Sequence, residues 1–452
     1  MRAFLPDLLY AEGGFRRGAA LVVGDDGRIA SIGEPGNWPV ERLPGKALLP
    51  GLVDAHSHAF QRVLRGRTEQ RTSAGDDFWS WREQMYRAAN LLSPEGIRDA
   101  SRLCFLEMLL SGITSVGEFH YLHGGADPNE GALAAIAAAE ELGLRITLLR
   151  VAYDRAGPGR PAEPGQRRFC DGSPDAYLAA CDALARELRD RPLATLGLAP
   201  HSVRALGREW LRPLGEYAAA RRLPVHMHLS EQPKEVDACL AEHGRRPVEL
   251  AEDEGLLGER FTAVHAIHLS EGEIQAIGRA RAHVCACPTT ERNLGDGVVP
   301  ADALLAAGAP LCLGTDGQSD VDLLEDAREL DYHLRLVRLR RAPLAEPGSG
   351  MAGLAARLFT IATEEGARSL GLEVGALAAG RPADCFTVDL ADPSIAGAGD
   401  DDLLSAIVFG LSRRAVRDVA VAGRFVVRDG RHARQAETVR AFARLQEELW
   451  RG

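Results

Sequence analysis

Apolar strand-like runs alternate with helical segments through the middle of this chain, and that alternation restricts the fold more than any other feature. Eight such runs lie between residues 46 and 316, with amphipathic stretches between them. Eight short apolar strands separated by helices are typical of a TIM-like (β/α)8 barrel, which we predict here. An open, doubly wound parallel sheet is the alternative. The runs are 46–55, 112–119, 144–152, 193–200, 223–230, 261–266, 282–287 and 309–316.

The two ends of the chain differ from the middle and resemble each other. Both contain short strand-like runs broken by glycine, and Asp25-Asp26-Gly27 indicates a hairpin near the start. We therefore predict one small β-sandwich domain built from residues 1–47 and 376–452, the latter ending in a closing helix. Residues 48–375 then form the barrel, within which 156–166 is a loop rich in Gly and Pro.

Charge and cysteine content limit the partners and the compartment. The 53 Lys and Arg residues against 64 Asp and Glu residues give 53 − 64 = −11, which disfavours nucleic acid and anionic membranes as partners. No stretch reaches the roughly 18 apolar residues of a membrane helix. Eight cysteines without a C-x-x-C pair indicate free thiols, so we expect a cytoplasmic protein. We expect its partner to be a small molecule.

Histidine and aspartate recur at the carboxyl ends of the runs, where a barrel carries its chemistry. His56 and His58 lie two positions apart, so both imidazoles face one side of the first strand. The fifth run ends with a similar pair, of which His228 lies nearer the mouth and His226 one layer deeper. Three histidines and an aspartate around an open position form a ligand set for a catalytic ion. We predict one divalent metal ion held by His56, His58, His228 and Asp316, with zinc favoured and iron as the alternative.

Two more polar side chains at these strand ends suit proton transfer. Glu231 follows His228 by three residues and can carry a proton to a leaving nitrogen. His265 ends the sixth run and is placed to polarise the attacking water, whose proton Asp316 takes. We therefore predict a metal-dependent hydrolase with Glu231, His265 and Asp316 as its catalytic groups. Neither lysine of the chain lies at a strand end, which disfavours a lysine-bridged pair of metal ions.

These residues resemble the amidohydrolase superfamily, in the branch of deaminases that use one metal ion. The marks of that branch are PGLVDAHSH (50–58), HLSE (228–231), AVHAIHL (263–269) and LGTD (313–316). More specific motifs are similar to the formimidoylglutamate deiminases, and the resemblance covers essentially the whole chain. Those motifs are HSHAFQR (56–62), FWSWREQMYR (78–87), GEFHYLH (117–123), APHSVRA (199–205), HLSEQPKEVDAC (228–239) and PTTERNLGDG (288–297).

The resemblance implies a reaction and a pocket. The reaction converts N-formimino-L-glutamate and water to N-formyl-L-glutamate and ammonia in histidine degradation, in a homodimeric enzyme. Arg82 and Arg204 lie in matching motifs, and each can clamp one substrate carboxylate. Gln61, Tyr121 and His201 follow strands one, two and four and complete a polar pocket. For Arg82, the alternative is a surface arginine in an arginine-rich chain.

One departure and two competing hypotheses accompany this resemblance. Asp-Ser-His usually follows the eighth strand in the family, whereas this chain has Asp316-Gly317-Gln318. Another deaminase of the branch, acting on a purine, pyrimidine, triazine or other amidine, would need an apolar and aromatic pocket. A non-catalytic relative that serves as a binding module would be expected to lose ligands, and this chain keeps them.

Overall fold

A computed structural model describes residues 1–69, 78–124 and 127–451, and in these ranges the side chains of all residues except 78–80 and 351. Its strands are β1 Arg2–Ala11, β2 Gly14–Arg17, β3 Ala20–Val23, β4 Ile29–Gly33, β5 Val40–Pro50, β6 Leu52–Ser57, β7 Ile113–His120, β8 Arg145–Ala152, β9 Arg155–Gly157, β10 Arg160–Pro161, β11 Ala194–Pro200, β12 Val225–Leu229, β13 Phe261–His265, β14 His283–Ala286, β15 Leu311–Leu313, β16 Cys385–Asp389, β17 Val416–Val421, β18 Arg424–Arg428 and β19 Arg431–His432.

Its helices surround these strands. They are α1 Phe78–Leu91, α2 Pro94–Leu110, α3 Glu130–Leu142, α4 Pro174–Glu187, α5 Arg208–Arg221, α6 Pro233–His243, α7 Pro247–Asp253, α8 Glu271–Ala280, α9 Pro288–Leu294, α10 Ala301–Ala306, α11 Leu323–Arg338, α12 Gly350–Thr360, α13 Gly366–Ser369, α14 Leu403–Gly410 and α15 Gln435–Trp450. Shorter helical segments are the 3-10 helices Ala59–Leu64, Pro164–Phe169 and Arg413–Ala415 and the π-helix Ile361–Glu365.

Eight parallel strands in the described ranges form the predicted barrel. Their order is β6-β7-β8-β11-β12-β13-β14-β15, and β6 meets the residues after β15 through a bridge between Ser57 and Asp316. Asp316 N donates to His56 O at 3.0 Å, and His58 N donates to Asp316 O at 3.0 Å. This contact nearly closes the sheet and excludes the open alternative. Most strands are buried on both faces, which explains their continuous apolar runs.

The chain termini form a second sheet, as predicted. In the part of the chain that is described, β1 to β5 and β16 to β19 are hydrogen-bonded into one nine-stranded sheet, with β5 paired to both β1 and β16. The hairpin predicted at Asp25-Asp26-Gly27 is confirmed, because β3 and β4 pair antiparallel around it. The domain limits 1–47, 48–375 and 376–452 stay a prediction, and strand β5 runs across the first of them.

The run 46–55 is divided between the two sheets, which corrects the prediction of a single barrel strand. Residues up to Pro50 belong to β5 of the terminal sheet, and the barrel begins at Leu52. The chain changes sheets at Gly51, where a Cβ atom would lie only 2.1 Å from Thr114 Oγ1. A side chain at this crossing would therefore collide with the neighbouring strand β7.

Helix ends follow ordinary capping rules. Ser93 caps α2 by accepting from Gly96 N, and Pro94 occupies its first turn. The predicted closing helix is α15, which packs on α2 through a 2.8 Å contact from Arg102 Nη2 to Glu437 Oε1. Within the described residues, none of the helices has the length and apolar character needed to cross a membrane.

Candidate metal centre and its pocket

Four buried side chains with metal-binding atoms meet at the carboxyl ends of β6, β12 and β15. They are His56, His58, His228 and Asp316, and their ligand atoms lie within 4.8 Å of one another. Asp316 Oδ1 is 3.3 Å from His56 Nε2 and 3.2 Å from His58 Nε2. Tetrahedral ligands about 2.1 Å from one zinc ion would be about 3.4 Å apart. The spacing and the donor atoms therefore fit a single divalent ion.

Hydrogen bonds to backbone carbonyls orient two of the imidazoles. His58 donates from Nδ1 to Phe119 O at 2.9 Å, and His228 donates from Nδ1 to His201 O at 3.0 Å. Because each Nδ1 carries the proton, each Nε2 keeps its lone pair for the centre of the cluster. Burial, followed by the charge of neighbouring imidazoles, holds the pKa of His228 well below its usual range. A neutral ring is the state that binds a cation.

Asp316 has a strained backbone and a carboxylate that stays ionised. Its φ angle is 47°, in the left-handed region that few residues other than glycine adopt. Burial alone would raise its pKa, but hydrogen bonds with His56 and His58 and the charge of His265 hold that pKa well below the usual range. The loop therefore presents a charged oxygen to the three rings.

Two other histidines of these motifs lie outside the cluster. His226 is fully buried one layer deeper, and its Nε2 donates to Ser369 O at 3.0 Å. His268 donates from Nε2 to Asp296 O at 2.9 Å. Neither points its bonded nitrogen at the four residues, so the structure groups His228, and not His226, with His56 and His58.

His265 lies between carboxylates beside the cluster. Its Nε2 is 3.8 Å from Glu231 Oε1 and 3.7 Å from Asp316 Oδ2, and its Nδ1 donates to Glu291 Oε1 at 3.3 Å. Burial alone would lower the pKa of His265, but Glu231, Glu291 and Asp316 raise it to about 10. Burial raises the pKa of Glu231. The site thus holds an imidazolium beside a carboxyl group whose affinity for a proton is raised, an arrangement suited to proton transfer.

Sequence reasoning missed several buried acids around the site. Glu291, in the first turn of α9, orients His265 and accepts from Cys287 N at 2.9 Å. Asp54 accepts from Thr315 Oγ1 at 2.5 Å, and burial raises its pKa to about 7. Glu118 accepts from Ser57 Oγ at 2.7 Å, with its pKa raised by burial to about 8. Asp54 lies in the motif PGLVDAHSH and Glu118 in GEFHYLH, so these motifs could have indicated both residues.

A narrow pocket of about 40 Å³ opens above the cluster. All five polar residues predicted for the pocket line it. The predicted metal-binding and catalytic residues line it as well, except His56. Gln61 Nε2 donates to the Tyr121 hydroxyl at 3.1 Å. Burial, followed by the charge of Arg204, holds the pKa of His201 well below its usual range, so its ring is neutral at pH 7. The lining residues are His58, Gln61, Trp81, Arg82, Met85, Tyr86, Tyr121, Tyr153, His201, Arg204, His228, Glu231, His265, Leu294 and Asp316.

Both predicted arginines are withdrawn from solvent. The Arg82 side chain is 15% exposed and Arg204 is 8% exposed, so the hypothesis of a surface arginine at position 82 is wrong. The Arg82 guanidinium carbon lies 5.3 Å from the centre of the Tyr86 ring. Two buried guanidinium groups in one pocket favour an anionic ligand.

A larger cavity of about 740 Å³ lies at the opposite end of the barrel, where Val225, Phe261 and His283 begin their strands. Its wall contains none of the residues of the four-ligand cluster. In a barrel of this type, the carboxyl ends of the strands carry the chemistry. The smaller pocket is therefore the candidate active site.

The loop after β15 is built around Gln318, which replaces the histidine of the family pattern. Gln318 is 1% exposed, and its φ angle is 60°. Its Nε2 donates to Ser57 Oγ at 3.0 Å and to Asp316 O at 3.0 Å. Its amide therefore ties the loop that carries Asp316 to the residue between His56 and His58.

The Amidohydrolase family matches residues 47–426, which is most of the chain. This chain belongs to the amidohydrolase family. The amidohydrolase is 40% identical to a formimidoylglutamate deiminase of Pseudomonas aeruginosa over 455 residues, covering 99% of this chain and 98% of the relative.

Solved structures give the same result for the fold. An amidohydrolase of Brucella melitensis superposes with a TM-score of 0.91 at 33% identity, covering 99% of this amidohydrolase and 100% of that chain. An adenosine deaminase of Xanthomonas campestris with bound zinc gives a TM-score of 0.83 at 25% identity, covering 99% and 98%.

Proposed function

We propose that this amidohydrolase hydrolyses N-formimino-L-glutamate to N-formyl-L-glutamate and ammonia, a step of histidine degradation. One observation carries the proposal: Arg204, which is buried, and Arg82, which is largely withdrawn from solvent, share a pocket with three of the four cluster residues. Such a pocket suits a substrate that is anionic at one end and hydrolysed at the other. The deiminase of Pseudomonas aeruginosa, similar over nearly the whole length, supports the same substrate.

We propose His56, His58, His228 and Asp316 as ligands of one divalent ion, with zinc favoured over iron. The zinc in the similar adenosine deaminase supports that choice. When bound, such an ion supplies Lewis-acid chemistry and makes water acidic enough to deprotonate near neutral pH. The donor set of three imidazoles and one carboxylate fits this ion, and because four ligands complete a tetrahedron, water would take a fifth position.

The protein's own groups move the protons. Asp316 accepts the proton of the attacking water, whose oxygen adds to the amidine carbon. His265, an imidazolium beside Asp316 and Glu231, steadies the negative charge that develops as the tetrahedral centre forms. Glu231 transfers a proton to the imino nitrogen as the water oxygen adds. Glu231 then takes the hydroxyl proton of the tetrahedral centre while Asp316 passes its proton to the same nitrogen, so the C–N bond breaks, the formyl C=O forms, ammonia departs and both carboxyl groups return to their starting state. Its buried position and raised pKa suit that transfer.

The rest of the pocket would recognise the substrate. Arg82 and Arg204 each bind one carboxylate, offsetting the unfavourable field of a protein with net charge −11. Neutral donors and acceptors complete the pocket: Gln61, Tyr121 and His201. Because His201 is uncharged, it binds without adding a third positive charge.

A second candidate is deamination of a purine, pyrimidine or triazine ring. The aromatic share of the lining, with Trp81, Tyr86, Tyr121 and Tyr153, favours it, as does the similar adenosine deaminase. Two buried arginines argue against it, because a neutral base offers them no charge.

We also propose a cytoplasmic homodimer. All eight cysteines are free, which suits a reducing compartment. Symmetric dimers are the commonest assemblies of soluble proteins. Light scattering and size exclusion at two concentrations test the dimer.

Ammonia release decides between the two substrate classes. Purified, zinc-loaded protein is assayed with N-formimino-L-glutamate, N-formimino-L-aspartate, neutral amidines, adenosine and other bases. We expect the highest kcat/KM with N-formimino-L-glutamate. Higher kcat/KM with a neutral base would establish the second candidate instead.

A further inference from the structure

The segment rich in Gly and Pro lies against the pocket, although the proposed reaction steps do not use it. Strands β9 and β10 form a hairpin there, and the 3-10 helix Pro164–Phe169 follows. Arg155 donates to both carboxylate oxygens of Glu242, at 2.6 and 2.7 Å. Asn90 Nδ2 donates to Gly165 O at 2.7 Å. The segment is thus fixed to helices on two sides.

Gln166 is the residue of this segment that reaches the pocket wall. It is 1% exposed, and its Oε1 accepts from Glu163 N at 3.0 Å, which fixes the orientation of its amide. Its Nε2 donates to the hydroxyl oxygens of Tyr86 at 3.1 Å and Tyr153 at 2.8 Å. Both amide hydrogens are used in this way, so both phenol oxygens act as acceptors toward Gln166.

Tyr86 and Tyr153 have two hydroxyl hydrogens between them. The hydroxyl oxygens of Tyr86 and Tyr153 are 3.2 Å apart, so one phenol donates to the other. One O–H therefore remains, and it donates no further hydrogen bond within the residues that the structure describes. A buried donor without an acceptor is costly, which favours a ligand that brings one.

Tyr153 is the better placed of the two to meet a ligand. Its ring centre is 4.8 Å from that of His201, which is 4.9 Å from that of His228 in the candidate metal centre. If Tyr86 donates to Tyr153, Tyr153 accepts two hydrogen bonds and donates one. Two accepted bonds polarise its O–H and strengthen the bond that it donates.

We infer that Tyr153 donates its O–H to a carboxylate of the substrate, beside Arg82 and Arg204, and that Gln166 and Tyr86 position it for that contact. The inference rests on the proposed function, because it takes the ligand to be a dicarboxylate. It makes Tyr153 a specificity-determining residue, and it explains why a buried glutamine in a loop meets two tyrosines.

Kinetics with shortened substrates test this inference. The variants are Tyr153→Phe, Gln166→Met and Gln166→Glu, with Arg167→Gln as a control at an exposed position of the same turn. The substrates are N-formimino-L-glutamate and two analogues, N-formimino-4-aminobutyrate and N-formimino-L-2-aminobutyrate, each of which lacks one carboxylate. Circular dichroism and thermal unfolding identify any variant that does not fold.

A hydrogen bond to a charged group corresponds to about 10- to 150-fold in kcat/KM. We expect Tyr153→Phe to lose about this factor with the full substrate, mainly through KM, and little with one of the two analogues. Gln166→Met should lose less. Gln166→Glu should lose at least as much as Tyr153→Phe, because a carboxylate draws the phenol hydrogens toward itself. Arg167→Gln should match the wild type. Equal losses with all three substrates, or none, would overturn the inference.

Binding measurements separate this inference from the proposed function. Calorimetric titration with glutarate and with butyrate needs no turnover. If the wild type releases no ammonia from N-formimino-L-glutamate but binds glutarate more tightly than Tyr153→Phe does, the proposed reaction fails and the carboxylate site stands. If glutarate binds equally to both proteins, or to neither, the inference about Tyr153 is wrong.

Discussion

Replacing Glu231 with glutamine tests the proposed proton transfer most directly. Glu231 is 6% exposed, and its Oε1 lies 3.8 Å from His265 Nε2. Glutamine keeps the volume and one carbonyl oxygen but cannot carry a proton. General acid–base catalysis contributes about 10²- to 10⁴-fold, or about 2.7 to 5.5 kcal/mol of activation free energy. We expect kcat to fall by that factor with near-normal metal content, because Glu231 is not one of the four ligands.

The substitution Glu231→Gln should also change how the rate depends on pH. Burial lowers the pKa of His265, and the charge of Glu231 is the largest contribution that raises it. Without that charge the pKa of His265 falls, so the imidazole loses its proton at lower pH than in the wild type. The rate deficit of Glu231→Gln should therefore grow as the pH rises.

The chain offers a matched control for this substitution. Glu235 is also buried, and its Oε1 accepts from Ser230 N at 3.2 Å in the neighbouring turn. Glu235→Gln makes the same chemical change nearby without removing the proposed acid, so its kcat should stay within a few-fold of the wild type. Ammonia release and metal analysis of both variants give the answer. Wild-type kcat in Glu231→Gln, or an equal loss in Glu235→Gln, would refute the reasoning.

Further predictions concern the metal, the arginines and the sheet crossing. His228→Ala should lose most bound metal, whereas His226→Ala should keep it, as plasma mass spectrometry of the purified proteins would report; the reverse result would reassign the ligand on β12. Dialysis against a chelator should abolish ammonia release, and added zinc should restore it. Arg82→Met and Arg204→Met should each lower kcat/KM about 10- to 150-fold with N-formimino-L-glutamate, and lysine should rescue poorly; unchanged kcat/KM in both would contradict the carboxylate clamp. Gly51→Ala should lower Tm by several degrees in a calorimetric scan, because its Cβ would collide with Thr114.

The barrel and the metal-binding residues could be predicted because they depend on short-range periodicity. Alternation within a strand places His56 and His58 on one side, and barrel closure brings their strand beside Asp316. The same periodicity cannot tell which sheet an apolar strand joins. Residues 46–50 and 52–55 are equally apolar, and only the collision at Gly51 marks the change between the sheets.

The contacts that orient the site could not be predicted from the sequence, because their partners are far apart in the chain. Glu291 meets His265 across 26 residues, and Gln166 meets Tyr86 across 80. An acid in the first turn of a helix or a glutamine in a loop is commonplace taken alone. Their roles can be assigned only from the folded structure, in which the barrel brings the loops after several strands together at one end.

Gln318 shows how a departure from the expected family pattern can leave the four metal-binding residues together. Its amide bonds to Ser57 Oγ and to Asp316 O, and Cys104 Sγ contacts its Oε1 at 3.1 Å. These partners lie beneath the ligand loops, and Gln318 is not part of the pocket lining. We therefore expect Gln318 to affect the position of Asp316 relative to His56 and His58, and not the choice of substrate. We propose that the substrate is selected instead by the two arginines and by Tyr153, which Gln166 holds in place.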